Sequence, residues 1–136
     1  MISPRGERQA RHGLLQQLRA GRVGAGMAVD VIGPELRKIA EKHPSVGEVR
    51  GLGVFWAIEL VRDRKTREPL VPFNATGADA KPMAELMAAC KTGGVWPFAH
   101  FNRLQVTPPC TTSDDECREG LAAIDKALEV ADRYCR

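Results

Sequence analysis

Toward the end of the chain, Cys117, Leu121, Ile124, Leu128, Ala131 and Cys135 recur at intervals of 4, 3, 4, 3 and 4 residues. That spacing lines them along one face of an α-helix. Ser113, with Glu116 three positions later, forms a capping box at its start. Asp114 and Asp115 add negative charge at the positive end of the helix dipole. The stripe must rest on another layer, and a sheet is the expected one. A second stripe, Ile32, Leu36, Ile39 and Ala40, predicts an earlier helix with Pro34 in its first turn. His43-Pro44 ends that helix, because a residue before proline is pushed out of the α region. A third helix is predicted from Pro82 to Thr92, with Met83, Leu86, Met87 and Cys90 on one face and Gly93-Gly94 as its stop.

Between the helices the pattern changes. Val54 to Val61 is a β-branched and aromatic run with Glu59 as its single charge, the signature of a largely buried strand. Gly51 and Gly53 just before it predict a bend or a close backbone approach. Asp63 to Pro72 is charged and proline-terminated, and reads as a surface turn followed by an extended connector. Val95–Phe98 and Arg103–Thr107 are two further strands, with a turn near His100–Asn102 between them. The order is helix, strand, helix, strand, strand, helix. It predicts an α+β domain: a small, largely antiparallel sheet with helices packed on one face.

Residues 1–26 are different. They are rich in Arg, Gln and Gly, and glycines interrupt the short Leu14, Leu15, Leu18 stripe. This segment is expected to be poorly ordered or non-native, with the domain proper over 27–136. Five arginines against Glu7 give residues 1–22 a net charge of +4, so the remaining 114 residues carry −1 of the total +3. A body so nearly neutral gives no ground for a nucleic-acid partner. With 136 residues, 43% hydrophobic and 27% charged, the chain suits one soluble domain. No apolar run approaches the roughly 20 residues of a membrane span, and no secretory signal is visible, so a cytoplasmic protein is expected. Cys90, Cys110, Cys117 and Cys135 form no C-x-x-C pair and no zinc spacing, and reduced thiols are expected.

Candidate chemistry is sparse. His43 at a helix end reads as a surface cap, whereas His100 sits in a turn beside Phe98, Phe101 and Asn102, where binding residues gather. A Schiff-base lysine needs a pocket that lowers its pKa. Lys38, Lys42, Lys65, Lys81, Lys91 and Lys126 lie instead on polar helix faces or in charged turns. No catalytic, cofactor-binding or metal-ligating residue is assigned from pattern alone.

The ordered motifs go further. Gly33-Pro34-Glu35-Leu36 is followed by His43-Pro44-Ser45-Val46-Gly47-Glu48-Val49-Arg50-Gly51-Leu52-Gly53 and then Trp56-Ala57-Ile58-Glu59-Leu60-Val61. The charged turn Arg62–Pro69, the block Asn102-Arg103-Leu104-Gln105-Val106-Thr107-Pro108-Pro109 and the last helix come after. This series resembles the class-III pyridoxal-phosphate-dependent aminotransferases, over roughly three quarters of the chain. The resemblance implies the C-terminal small domain of a fold-type-I enzyme. It places the cofactor lysine, the aspartate facing the pyridine nitrogen and most phosphate contacts in a large domain, so pyridoxal phosphate belongs to the parent enzyme and this chain alone is expected to bind none. It implies a large domain or homodimer partner, and an amino donor and a keto acid as substrates.

In many members an arginine of the "N-x-x-R" block grips the substrate carboxylate. That position is Gln105 here, and an arginine stands two residues earlier at Arg103. Alternation puts both on one strand face. Gln105, Arg103 and His100 are therefore the substrate-facing candidates. The expected function is the C-terminal portion of a transaminase, inactive alone and produced by truncation or frame-shift. The alternatives are a module that binds or modulates a full-length aminotransferase, and a small-molecule binder using a pocket around Trp96, His100 and Arg103.

Overall fold

The computed structural model describes residues 29–136; the expectations for residues 1–26 lie outside them. Three helices form: α1 (Val29–Lys42), α2 (Lys81–Thr92) and α3 (Asp114–Asp132). The stripes drive them inward. Ile32, Leu36 and Ile39 of α1, Met83, Leu86 and Cys90 of α2, and Cys117, Leu121, Ile124 and Leu128 of α3 are all buried in one core. Each large aliphatic side chain so buried contributes about 1.5–3 kcal/mol. The capping box is complete: Glu116 N–H donates to Ser113 Oγ at 3.3 Å, and Ser113 N–H donates to Glu116 at 2.8 Å.

Five strands make the sheet: β1 (Val46–Leu52), β2 (Phe55–Asp63), β3 (Glu68–Pro69), β4 (Phe98–His100) and β5 (Arg103–Val106). They are ordered β1-β2-β5-β4, with β3 paired to β2, and every pairing is antiparallel. Register across the centre sets Trp56 opposite Val106, Ala57 opposite Gln105, Ile58 opposite Leu104 and Glu59 opposite Arg103. Alternation then divides the two faces. Trp56, Ile58, Leu60, Leu104 and Val106 join the helical core, while Phe55, Ala57, Glu59, Arg103 and Gln105 lie on the open side. The α+β architecture, with its small antiparallel sheet and helices on one face, is the expected one.

Several expectations need correction. Pro34 lies in the second turn of α1, because the helix begins at Val29, ahead of the apolar stripe. The segment before the central strand is itself a strand, β1. Its two glycines and two charges hid it, because a half-exposed edge strand needs few apolar side chains. The predicted bend and close approach are both present: Gly53 turns the hairpin at φ 63°, and Gly51 lies against Trp56. A Cβ on Gly51 would stand 2.4 Å from the Phe55 carbonyl oxygen and 2.5 Å from the indole.

The strand placed at Val95–Phe98 starts only at Phe98, since Pro97 has no N–H to give a ladder. His100 ends that strand, and the turn narrows to Phe101, at φ 56°, and Asn102. Asn102 is buried and its side-chain amide donates to Leu60 O at 2.9 Å, extending the β2–β5 pairing. The last helix stops at Asp132, so Cys135 lies beyond it and its thiol faces Val61 O at 3.6 Å. The apolar stripe of α3 packs on α1 and α2 as well as into the core above the sheet.

Candidate functional site

Antiparallel register builds the open face of the sheet. On β5, Arg103 and Gln105 alternate with buried Leu104 and Val106, so both point away from the helices. Register on the β4 side sets His100 opposite Arg103 and Phe98 opposite Gln105. The three predicted substrate-facing residues are thus brought onto one face, and Arg103 Nη2 lies 3.3 Å from His100 Nδ1. Gln105 lies opposite Ala57, whose small side chain leaves a low floor in this face. Leu52, Phe55 and Phe98 stand exposed around it at 83%, 61% and 59%.

Charge on this face is unevenly matched. Glu59 lies opposite Arg103 in the ladder, yet its carboxylate is taken by two other arginines: Arg50 Nη1 at 2.9 Å and Arg67 Nη2 at 3.5 Å. Glu48 joins the same cluster, 3.0 Å from Arg50 and 3.4 Å from Arg67. The hydrogen bond to Glu59 is the main cause of a raised pKa at Arg50. Among the described residues no carboxylate pairs with Arg103, which is half-buried.

The pocket expected around Trp96, His100 and Arg103 does not form as one site. Trp96 borders a groove of about 240 Å³ with Phe98, Gln105, Pro108, Glu116 and Cys117. Its ring carries the Lys91 ammonium 4.0 Å from the centroid. His100 borders a separate hollow with Phe73, Met83 and Phe101. Trp96 and His100 fall on either side of β4, which explains the separation.

A second polar constellation was missed. His43 is 1% exposed, not a surface cap. Its Nδ1 lies 2.6 Å from Asp132 Oδ2 and its Nε2 2.8 Å from Asp125 Oδ1. A neutral imidazole could donate to only one of them. Ser45 donates to Asp132 through its hydroxyl at 2.6 Å and its N–H at 3.1 Å, and Lys42 reaches Asp125 at 2.6 Å. Burial pushes the Asp125 carboxyl up, but the hydrogen bonds from Lys42 and His43 outweigh it and hold it below its ordinary range. Arg64 donates to the carbonyls of Ala40, His43 and Val46, closing the C-terminus of α1. The constellation ties the C-terminal ends of α1 and α3 together. Ser45 bonds Asp132 rather than the imidazole, so no serine nucleophile is activated. The overlooked signal was Asp125 and Asp132, seven residues apart and therefore on one helix face.

No metal site forms among the described residues. A Schiff-base lysine does not fit either. All six lysines are exposed, and the shift at Lys42 is upward, caused first by its hydrogen bond to Asp125. All four cysteines are free thiols; Cys90 is buried, and burial pushes its pKa up to about 11. No helix among the described residues is long and apolar enough to cross a membrane.

Comparison with known proteins agrees with this architecture. Residues 23–128 match the family described as aminotransferase class-III. The chain is 36% identical over 99 residues to 4-aminobutyrate aminotransferase GabT of Escherichia coli, covering 71% of the chain and 21% of that protein. It is 35% identical over 102 residues to ethanolamine-phosphate phospho-lyase homolog 1 of Caenorhabditis elegans, covering 72% and 20%. A solved taurine:2-oxoglutarate aminotransferase of Bifidobacterium kashiwanohense, in complex with PLP and glutamate, superposes with a TM-score of 0.68 at 29% identity. That match covers 79% of this chain and 24% of the other. The chain spans about a fifth of the length of the curated relatives it matches.

Proposed function

The chain belongs to the class-III aminotransferase family, and from that premise we propose that it is the C-terminal small domain of a pyridoxal-phosphate-dependent aminotransferase, without transaminase activity alone. The parent reaction moves an amino group from an amino acid or amine to a keto acid, the cofactor supplying the electron sink. The observation that carries this reading is the open sheet face. One side of the sheet is closed by three helices. The other presents Arg103, Gln105 and His100 beside exposed Leu52, Phe55 and Phe98. Such a patch suits a surface that another body covers, here a large domain or a homodimer partner. Gln105, Arg103 and His100 then face the substrate. The cofactor lysine belongs to the large domain, because none of the six here is desolvated.

The same open face supports a second reading, a non-enzymatic module that binds or modulates a full-length aminotransferase. Mixing the purified chain with pyridoxal phosphate, reducing with borohydride and mapping adducts by mass spectrometry tests the first. Scattered, substoichiometric labelling of surface lysines is expected. Stoichiometric labelling of one lysine, with a visible aldimine band, overturns it. A change in the rate of a full-length class-III enzyme on adding the chain favours the module.

A further inference from the structure

We propose that Arg103 is the anchoring point for the acid group of a small organic ligand, a carboxylate or sulfonate, lying across the open face of the sheet. The inference deepens the small-domain reading and rests on it for the identification of that face with a substrate wall. Its physical basis is the charge pattern.

The other arginines described near the sheet are engaged. Arg50 and Arg67 share Glu48 and Glu59. Arg64 serves three backbone carbonyls, and Arg62 donates to Leu70 O at 2.9 Å. Arg37 lies over the Trp56 ring, 5.4 Å from its centroid. Arg103 has only a ring nitrogen, His100 Nδ1, at 3.3 Å. In that contact the guanidinium is the donor, so the imidazole nitrogen accepts and helps to aim the fork. Glu59 is the carboxylate nearest in register, and its two oxygens are spent on Arg50 and Arg67. A half-buried guanidinium without a counter-charge is attractive to an anion, and its planar fork suits a group with two or more oxygens.

The surroundings fit the remainder of such a ligand. Gln105 is two residues along the same face, about 6.6 Å away by strand rise. Its neighbours across the ladder are Ala57, which offers little bulk, and Phe98, which is apolar and exposed. An acid group held at Arg103 directs a short carbon chain over Ala57, past the neutral Gln105 amide, toward Phe98 and Phe55. An amine with no acid group has nothing to bind at the Arg103 end.

The test uses the full 136-residue chain without cofactor, so it is independent of aldimine chemistry. Arginine side-chain Nε–H signals are followed by NMR while glutarate, taurine or n-butylamine is added. Saturable movement of the Arg103 signal with glutarate or taurine is expected, and none with butylamine. Whichever acid acts at the lower concentration names the class. Arg103→Gln should weaken binding about tenfold or more, and Arg103→Lys should weaken it less, as expected for a charge-assisted contact. Unchanged far-UV dichroism in both variants excludes misfolding. An Arg103 signal that stays still, or acid binding equal in Arg103→Gln, overturns the proposal. If Arg103 responds while borohydride traps a stoichiometric lysine aldimine, the small-domain reading fails and the anion site stands. If Arg103 is silent and no such lysine is found, the reverse holds.

Discussion

Replacing His43 by alanine removes the imidazole that joins α1 to α3. The ring is 1% exposed and meets two carboxylates at 2.6 and 2.8 Å. A hydrogen bond to a charged group contributes about 1.5–3 kcal/mol. The Asp125 and Asp132 side chains retain 26% and 22% exposure, so water recovers part of that loss. With each bond discounted by roughly half for solvent screening, the loss is about 2–3 kcal/mol. Leaving two carboxylates face to face adds repulsion, and the vacated ring leaves a cavity, which together bring the expected cost to about 3–4 kcal/mol. That is a large part of the 5–15 kcal/mol typical of a domain. The assay is urea unfolding followed by far-UV dichroism, with the slope checked for constancy. Ser45→Ala is the internal comparison. It removes the hydroxyl donor but keeps the Ser45 N–H on Asp132, and should cost about 1 kcal/mol. A loss below about 1 kcal/mol for His43→Ala would refute the reasoning. So would additivity with Asp132→Asn, because contacting partners must couple by about 0.5–3 kcal/mol.

Three further outcomes are expected. Asp125 has a depressed pKa in the folded state, so its contribution is present above its ordinary value of 3.8 and is lost as pH falls through the lower folded value. Acid unfolding below about pH 4 should therefore become shallower in Asp125→Asn, and an unchanged acid limb would contradict this. Toward a thiol reagent near pH 7.5, exposed Cys110 should react first and Cys90, with its pKa pushed up to about 11, only after unfolding. Peptide mapping of the labelled sites checks the order. Gly51→Ala should cost about 3 kcal/mol or more, because the new Cβ meets a backbone oxygen at 2.4 Å and the Trp56 ring at 2.5 Å. A urea midpoint equal to that of the parent protein would show that the β1–β2 hairpin yields more easily than its packing implies.

The small-domain assignment was legible through ordered local signals. The stripes of α1, α2 and α3 and the Ser113–Glu116 box are local and survived intact, because helix periodicity depends only on residues three or four apart. The central strand announced itself by VFWAIELV. The edge strand β1 did not. Its exposed positions carry Glu48 and Arg50, and ladder pairing with β2 makes it a strand. Alternation placed Arg103 and Gln105 on one face from sequence alone. His100 joins them only through the β4–β5 register.

What the sequence determined by itself was therefore the set of elements, the face each helix buries, and the family they compose. Tertiary structure decided which charges cancel. His43 looked like a surface cap because its two carboxylates lie 82 and 89 residues away. Glu59 and Arg103 looked like natural partners across a strand pair, yet Arg50 and Arg67 claim that carboxylate. Electrostatic pairing depends on distances of a few ångströms between residues far apart in the chain. Periodicity records burial, and burial alone does not say which cation keeps its charge for a ligand.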